Sequence, residues 1–272
     1  MSKELTKETV AAHKKAAIGK LDNLLRKYIY SGDEKQLKKA NLISYWLENF
    51  SNYVSFEEQF DPTRIINYSR GNVIRLNFGF NIGKEFGGLH YAVVLDNDSK
   101  HRSEVITVVP LSSTDGKQVH PNSVDLGSEL YEKASVRQKN LRESIQRDME
   151  QVDKLLDITD TTLKVFHENS AKLPPELPSN LTKSLDELIE AKKILDPLKV
   201  ELQNQMRTIT KNDEEVKKMK VGSMAVTNQI TTVSKQRIYV PKRAEDFLYD
   251  ISLSPSAMDK INQKLKELYF FE

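Results

Sequence analysis

The sequence predicts an α+β protein: a small β-barrel preceded by a helical extension and interrupted by a long antiparallel helical hairpin. Three observations carry that expectation. The apolar period is helical up to about residue 60, strand-like from 72 to 126, helical again from about 131, and strand-like after Met219. Five of the ten glycines, Gly79, Gly83, Gly87, Gly88 and Gly127, gather around the first strand-like block, as tight turns and close backbone approaches require. With 272 residues the chain has ample length to bury a core.

The extension covers residues 1–66. Ile18, Leu21, Leu25 and Tyr28 form one helix stripe, which Ser31-Gly32-Asp33 stops. Ile43, Trp46, Leu47, Phe50, Tyr53 and Val54 form a second, ending before Asp61-Pro62. Two helices alone bury too little, so the aromatic face of this hairpin is expected to pack on something else.

The first part of the barrel covers residues 67–130. Val73, Arg75 and Asn77 alternate with Ile74, Leu76 and Phe78, which reads as a strand with one face buried. His90–Asp96 and Val105–Leu111 are continuous β-branched and aliphatic runs, and Asn122–Leu126 is a candidate fourth strand.

Residues 131–218 form the inserted hairpin. Ile145, Met149, Val152, Leu156, Thr159, Leu163 and Phe166 step as a heptad seam. The run from Lys172 to Pro178 breaks it, and Leu181, Leu185, Leu188, Leu198, Leu202 and Ile209 mark a second arm that Pro197 should kink. Arms of about 30 residues would extend roughly 45 Å.

The second part of the barrel, residues 219–272, holds strands over 223–230 and 232–240 and a closing helix. Ser254 at the N-cap, Pro255 at N1 and the stripe Met258, Ile261, Leu265, Leu268 specify that helix.

Composition narrows the function classes. Charged residues make up 29% and hydrophobic ones 38%, mean hydropathy is −0.55, and no run approaches the ~20 apolar residues of a spanning helix. The N-terminus lacks the apolar core of a secretory signal, and no cysteine is present for disulfides or thiolate metal sites, so a cytoplasmic setting is expected. With 41 basic and 39 acidic side chains, a polyanion site must be local. The histidines lack ligand partners at metal spacing, and no phosphate-cradling P-loop is present; no metal or cofactor is expected.

The chemistry concentrates in residues 71–98, GNVIRLNFGFNIGKEFGGLHYAVVLDND. Here Lys84, Glu85, two glycines and His90 crowd the entrance to the apolar strand YAVVL. This stretch resembles the start of the MazF/PemK family of toxin endoribonucleases: a glycine-led strand, a G-S-E-Q-G-G-x-R-P-type loop, and an aliphatic strand ending in N-D. Val105–Ser112, VITVVPLS, resembles the family's next strand, which ends in a small hydroxyl residue. Residues 223–237, SMAVTNQITTVSKQR, are similar to its later D-S-x-x-x-x-x-Q-I-R-T-I-D-K-x-R strand pair. In all, the resemblance covers about residues 68–128 and 220–270. His90 stands where the family has arginine, Tyr91 where it has proline, Ser112 or Ser113 where it has threonine, and Thr231 where it has the arginine of Q-I-R-T.

The resemblance implies an SH3-like barrel of the MazF/PemK/CcdB type and metal-independent cleavage of single-stranded RNA by attack of the ribose 2′-OH. It also implies a homodimer and a separate antitoxin. On that reading His90 is the general acid or base, Glu85 its supporting carboxylate and Ser112 a donor to phosphate. Lys84, Ser113, Gln229, Lys235 and Arg237 contact RNA. Each residue also has a plain structural role: His90 as a half-buried strand-entry imidazole, Glu85 as a solvated loop charge, Ser112 and Ser113 as strand ends, Lys235 and Arg237 as surface cations. The runner-up function is a non-catalytic growth inhibitor that binds a protein target through the same fold, as CcdB does.

Overall fold

The computed structural model describes residues 5–97, 103–114, 116, 118–169 and 178–270. The expected interruption over 172–177, His101, and the Asp98 that closes the second apolar strand in sequence lie outside them. The chain divides into two compact units, one running up to Asp61 and including Asn77–Leu89, the other made of Pro62–Leu76 and the chain from His90 onward.

In the first unit α1 (Lys7–Ile29) starts in a capping box between Thr6 and Thr9, and α2 (Glu34–Phe56) starts at Asp33, whose carboxylate accepts the Lys35 amide at 2.8 Å. Helix α1 buries no residue, and α2 buries only Ala40 and Ile43. Trp46 packs its ring against Phe50 and Tyr53 at centroid distances of 5.9 and 6.3 Å. Tyr45, Phe50, Val54 and Phe56 nevertheless stay exposed. Within this unit the burial expected for the aromatic face is not found.

The loop in this unit closes at a narrow neck. Phe78 N–H donates to the Gly88 carbonyl at 2.8 Å, and Gly88 N–H donates to Gly79 at 2.7 Å. A Cβ at Gly87 would lie 2.9 Å from the Gly79 carbonyl oxygen, so a close backbone approach requires this glycine.

The strands, which but for Asn77 and Leu89 lie in the second unit, are β1 (Val73–Asn77), β2 (Leu89–Val94), β3 (Val105–Ser113), β4 (Ser123–Gly127), β5 (Ser223–Val226), β6 (Thr231–Ser234) and β7 (Ile238–Val240). The order is β4-β5-β3-β2-β1-β7, with β6 also on β3. Strand β3 is the spine: it pairs antiparallel with β2, with β6 over Val105–Val108 and with β5 over Leu111–Ser113. The changeover from β6 to β5 falls at Val109-Pro110, where proline offers no amide to a ladder.

Two expectations are corrected here. The strand path has two ends, β4 and β7, and among the described residues these do not pair, so the hydrogen-bonded sheet is not closed into a barrel. Strand β7 is three residues long and runs into Pro241, which cannot extend a ladder. The strands expected over 223–230 and 232–240 are each broken by a 3-10 turn, at Thr227–Gln229 and Lys235–Arg237. Thr227 donates its hydroxyl to the Asn122 carbonyl at 2.7 Å, and Ser234 Oγ accepts the Gln236 amide; these side-chain bonds replace ladder pairing.

Between β4 and β5 run α3 (Glu129–Asn169) and α4 (Ser179–Lys218), of 41 and 40 residues, longer than the arms of about 30 expected. Helix α4 continues through Pro197. Leu130 and Ala134 of α3 and Val216 of α4 join the core beneath the sheet, together with Val73, Val93, Val109, Leu111, Phe247 and Ile261. Farther out, Ile145, Val152, Leu156, Leu202 and Ile209 make a separate core, with Met149, Leu195 and Met206 packed against it. Leu198 lies off this seam because the heptad through Leu202 and Ile209 reaches back to Leu195.

The closing helix α5 (Pro255–Tyr269) is capped as expected, with Ser254 Oγ accepting the Ala257 amide at 3.2 Å. No helix among the described residues is long and apolar enough to cross a membrane.

Candidate functional site

His90 is the second residue of β2 and is half-buried. The β2–β3 register pairs Ala92 with Pro110, Val93 with Val109 and Val94 with Val108. The paired positions end there, two residues short of His90 on β2 and of Ser112 on β3. On its other edge Ser112 pairs with Met224, and Ser113 pairs with Ser223.

Burial, first, and the positive charge of Arg75, second, hold the His90 imidazole below its ordinary pKa. Both disfavour the imidazolium. The neutral ring, with one nitrogen able to accept a proton, is therefore the state presented at neutral pH.

The remaining predicted residues fall in three places. Lys84 and Glu85 are exposed in the loop of the first unit, where the Glu85 carboxylate accepts the Ile82 amide at 3.2 Å. Gln229 and Arg237 end the two 3-10 turns and are half-buried. Lys235 was expected to alternate with Arg237 on an open strand face. Instead it is 1% exposed, inside a turn whose backbone bonds to the Glu104 carbonyl. Burial, opposed by the nearby Asp96 charge, lowers its pKa. So the fold puts His90 on β2 and Ser112 and Ser113 on the neighbouring strand β3, and withdraws Lys235 from the surface.

Sequence reasoning passed over a second cluster in the same unit. Arg75 on β1 donates Nη1 to Glu215 of α4 at 2.6 Å. Its guanidinium carbon lies 5.7 Å from the ring centroids of both Tyr91 on β2 and Tyr239 on β7. The available signal was Arg75 itself, a cation between the apolar residues Ile74 and Leu76 of a core strand; its acidic partner, 140 positions away, left none. Among the described residues no group of three or more His, Cys, Asp or Glu side chains is placed to hold a metal ion.

Residues 69–158 match the family model for the PemK-like, MazF-like toxin of type II toxin-antitoxin systems. The matched span is about a third of the chain and takes in β1 to β4 and the first part of α3. It contains His90 and Ser112, and it stops short of the later block, residues 223–237, whose resemblance remains a reading of the sequence. No curated protein matches the chain.

Proposed function

We propose that this chain, whose residues 69–158 belong to the PemK-like, MazF-like toxins of type II toxin–antitoxin systems, is an endoribonuclease that cleaves single-stranded RNA without a metal. The observation that carries the proposal is the pairing of β2 with β3, two neighbouring strands that carry a half-buried imidazole, His90, and a half-buried hydroxyl, Ser112.

In the proposed reaction His90 accepts the proton of a ribose 2′-OH as that oxygen attacks the adjacent phosphorus. The new O2′–P bond forms, the P–O5′ bond breaks, and the 5′-oxygen leaves with a proton supplied by water. The products are a 2′,3′-cyclic phosphate and a 5′-hydroxyl end. A depressed pKa suits the base step, because the ring must be neutral before it can take the proton. Ser112 donates a hydrogen bond to a phosphoryl oxygen as charge builds there. Ser113, Gln229 and Arg237 from the sheet are the further candidates for orienting RNA, and Glu85 and Lys84 are candidates on the sequence resemblance alone. A homodimer and a cognate antitoxin complete the reading, the latter implied by the family.

The test is cleavage of a long RNA by the purified chain in excess EDTA, beside His90→Asn, with the new ends analysed. Cleavage that survives chelation, leaves 5′-hydroxyl ends and falls about 10²–10⁴-fold in the variant is the expected outcome. Activity that vanishes in EDTA and returns with magnesium refutes the mechanism.

A further inference from the structure

The cluster around Arg75 has the composition of a nucleotide seat, with an acidic side chain of the protein's own occupying it. Glu215 accepts hydrogen bonds from two cations, Arg75 at 2.6 Å and Lys218 at 3.2 Å. Its carboxylate thus stands where a phosphate would sit: a delocalised oxyanion between a planar fork and an ammonium. Beside it Tyr239 is 59% exposed on the three-residue strand β7, although its neighbour Ile238 is buried. An exposed aromatic ring at the edge of a cationic site is what single-stranded nucleic acids use for base stacking.

A purely structural tie between hairpin and sheet would account for the ion pair alone. Lys218 reaches the same carboxylate as an i,i+3 neighbour on α4, and what the tie leaves unexplained is the exposure of the tyrosine over which the guanidinium lies. The Arg75 bond, foremost, keeps Glu215 ionised below the usual carboxylate range, against the opposing effect of burial. The acid therefore competes as an anion at neutral pH.

We propose that Arg75, Lys218 and Tyr239 form a binding seat for one nucleotide of single-stranded RNA, phosphate on the two cations and base on the tyrosine ring, and that Glu215 fills the seat until RNA displaces it. This rests on the ribonuclease reading for its choice of ligand. Strand alternation directs His90 and Tyr91, successive residues of β2, to opposite faces, so the seat beside Tyr91 is distinct from the place of His90.

The test measures binding of a fluorescein-labelled single-stranded 2′-O-methyl RNA of about twelve nucleotides, which cannot be cleaved by 2′-oxygen attack. Tyr239→Leu should weaken binding roughly 5- to 100-fold, and leave binding of a duplex of the same length unchanged. Arg75→Gln should weaken it and lower the salt slope by about one phosphate contact. Glu215→Gln should tighten it by about threefold or more, since a filled seat reduces the competent fraction. Far-UV circular dichroism checks that each variant is folded, and Tyr239→Phe, which keeps the ring, should bind as the parent does. Unchanged affinity in any of the three folded variants overturns the seat, whether or not the chain cuts RNA. The full pattern without cleavage of ordinary RNA keeps the seat and removes the nuclease reading.

Discussion

Lys199 of α4 meets Asp153 of α3 at 2.7 Å, and two more pairs, Lys192 with Asp160 and Arg142 with Asp213, step along the same helices. Positions 192, 199 and 213 are where the α4 heptad through Leu195, Leu202 and Ile209 calls for apolar seam residues. Charges there are matched only when each finds its partner on α3. The apolar residues hold the arms together and the ion pairs fix how they slide.

The outer hairpin is therefore expected to be dispensable for folding. Its core of Ile145, Val152, Leu156, Leu202 and Ile209 is separate from the cluster under the sheet. Replacing residues 149–205 by a short glycine-serine turn leaves Ile145 and Ile209 in register and keeps Ala134 and Val216 in place. The shortened chain should be soluble by gel filtration, with less helix and an intact β signal by circular dichroism. Insolubility would mean that the arms belong to the core. A cut at residues 132 and 215 should fail, because it removes Ala134, which is fully buried among sheet residues.

Glu129, at the start of α3, accepts the Ser254 hydroxyl at 2.9 Å and the Lys133 ammonium at 2.8 Å, so it buttresses the cap of α5 from 125 residues away. Burial pushes its pKa up, yet the bonds from Lys133 and Ser254 prevail and the net shift is downward. A depressed carboxylate contributes stability above its unfolded value near 4.5, and that stability is lost as the pH falls through the folded value. Glu129→Gln should cost about 1–3 kcal/mol at pH 7 by urea unfolding. The difference from the parent should shrink below pH 4; a difference that is constant with pH would show that shape, and not charge, matters there.

How much of this was legible in the sequence depends on the range of the interaction. Thr6, Asp33 and Ser254 announce their helices because a cap is read within three residues. Strands β1 to β4 announce themselves because β-branched runs need no distant partner to be recognised. The breaks at Thr227 and Lys235 were missed: the bond from Thr227 to Asn122 spans 105 residues and competes with a ladder that looks continuous locally. Lys235 was placed on the surface by its type, whereas the fold buries it. Leu198 and Leu195 are both leucines near Leu202, and only the seven-residue step through Leu202 and Ile209 assigns the seam to Leu195. His90 and Ser112 were both candidates from the sequence, and the pairing of Ala92 with Pro110 shows that their strands are neighbours.

Two glycines of the loop should respond oppositely to substitution. Gly87→Ala forces a methyl to 2.9 Å from the Gly79 carbonyl oxygen, a backbone atom held at the neck by Gly88. A cost of about 1–3 kcal/mol in urea unfolding is expected. Gly83 has φ of 66° and open space around its Cβ position, so Gly83→Asn, which tolerates that conformation, should be nearly neutral. Equal effects from both would mean that the neck is not as tight as drawn.

The pH profile of cleavage should identify His90 and the charge beside it. Burial and then Arg75 lower its pKa from 6.5, so the neutral base is formed as pH rises through a value below 6.5. Single-turnover cleavage should climb through that inflection and level off by neutral pH; an inflection above 6.5 would contradict the environment described for the ring. The stability linkage has the same sign. The unfolded chain binds the proton more readily than the folded one, so the contribution of His90 is complete above 6.5 and is lost as pH falls through the folded value. Arg75→Gln removes the second cause and leaves burial, so its inflection should move up toward 6.5 without reaching it. His90→Asn keeps a hydrogen-bonding side chain but cannot titrate, and its residual rate should be flat through this range. Ser112→Ala separates the roles: its rate should fall about 10²-fold while the inflection stays with His90, because a lost phosphate donor changes the height of the profile and not its position. If Ser112→Ala moves the inflection instead, the hydroxyl bonds to the imidazole in the ground state, and its part in the reaction is to orient the base.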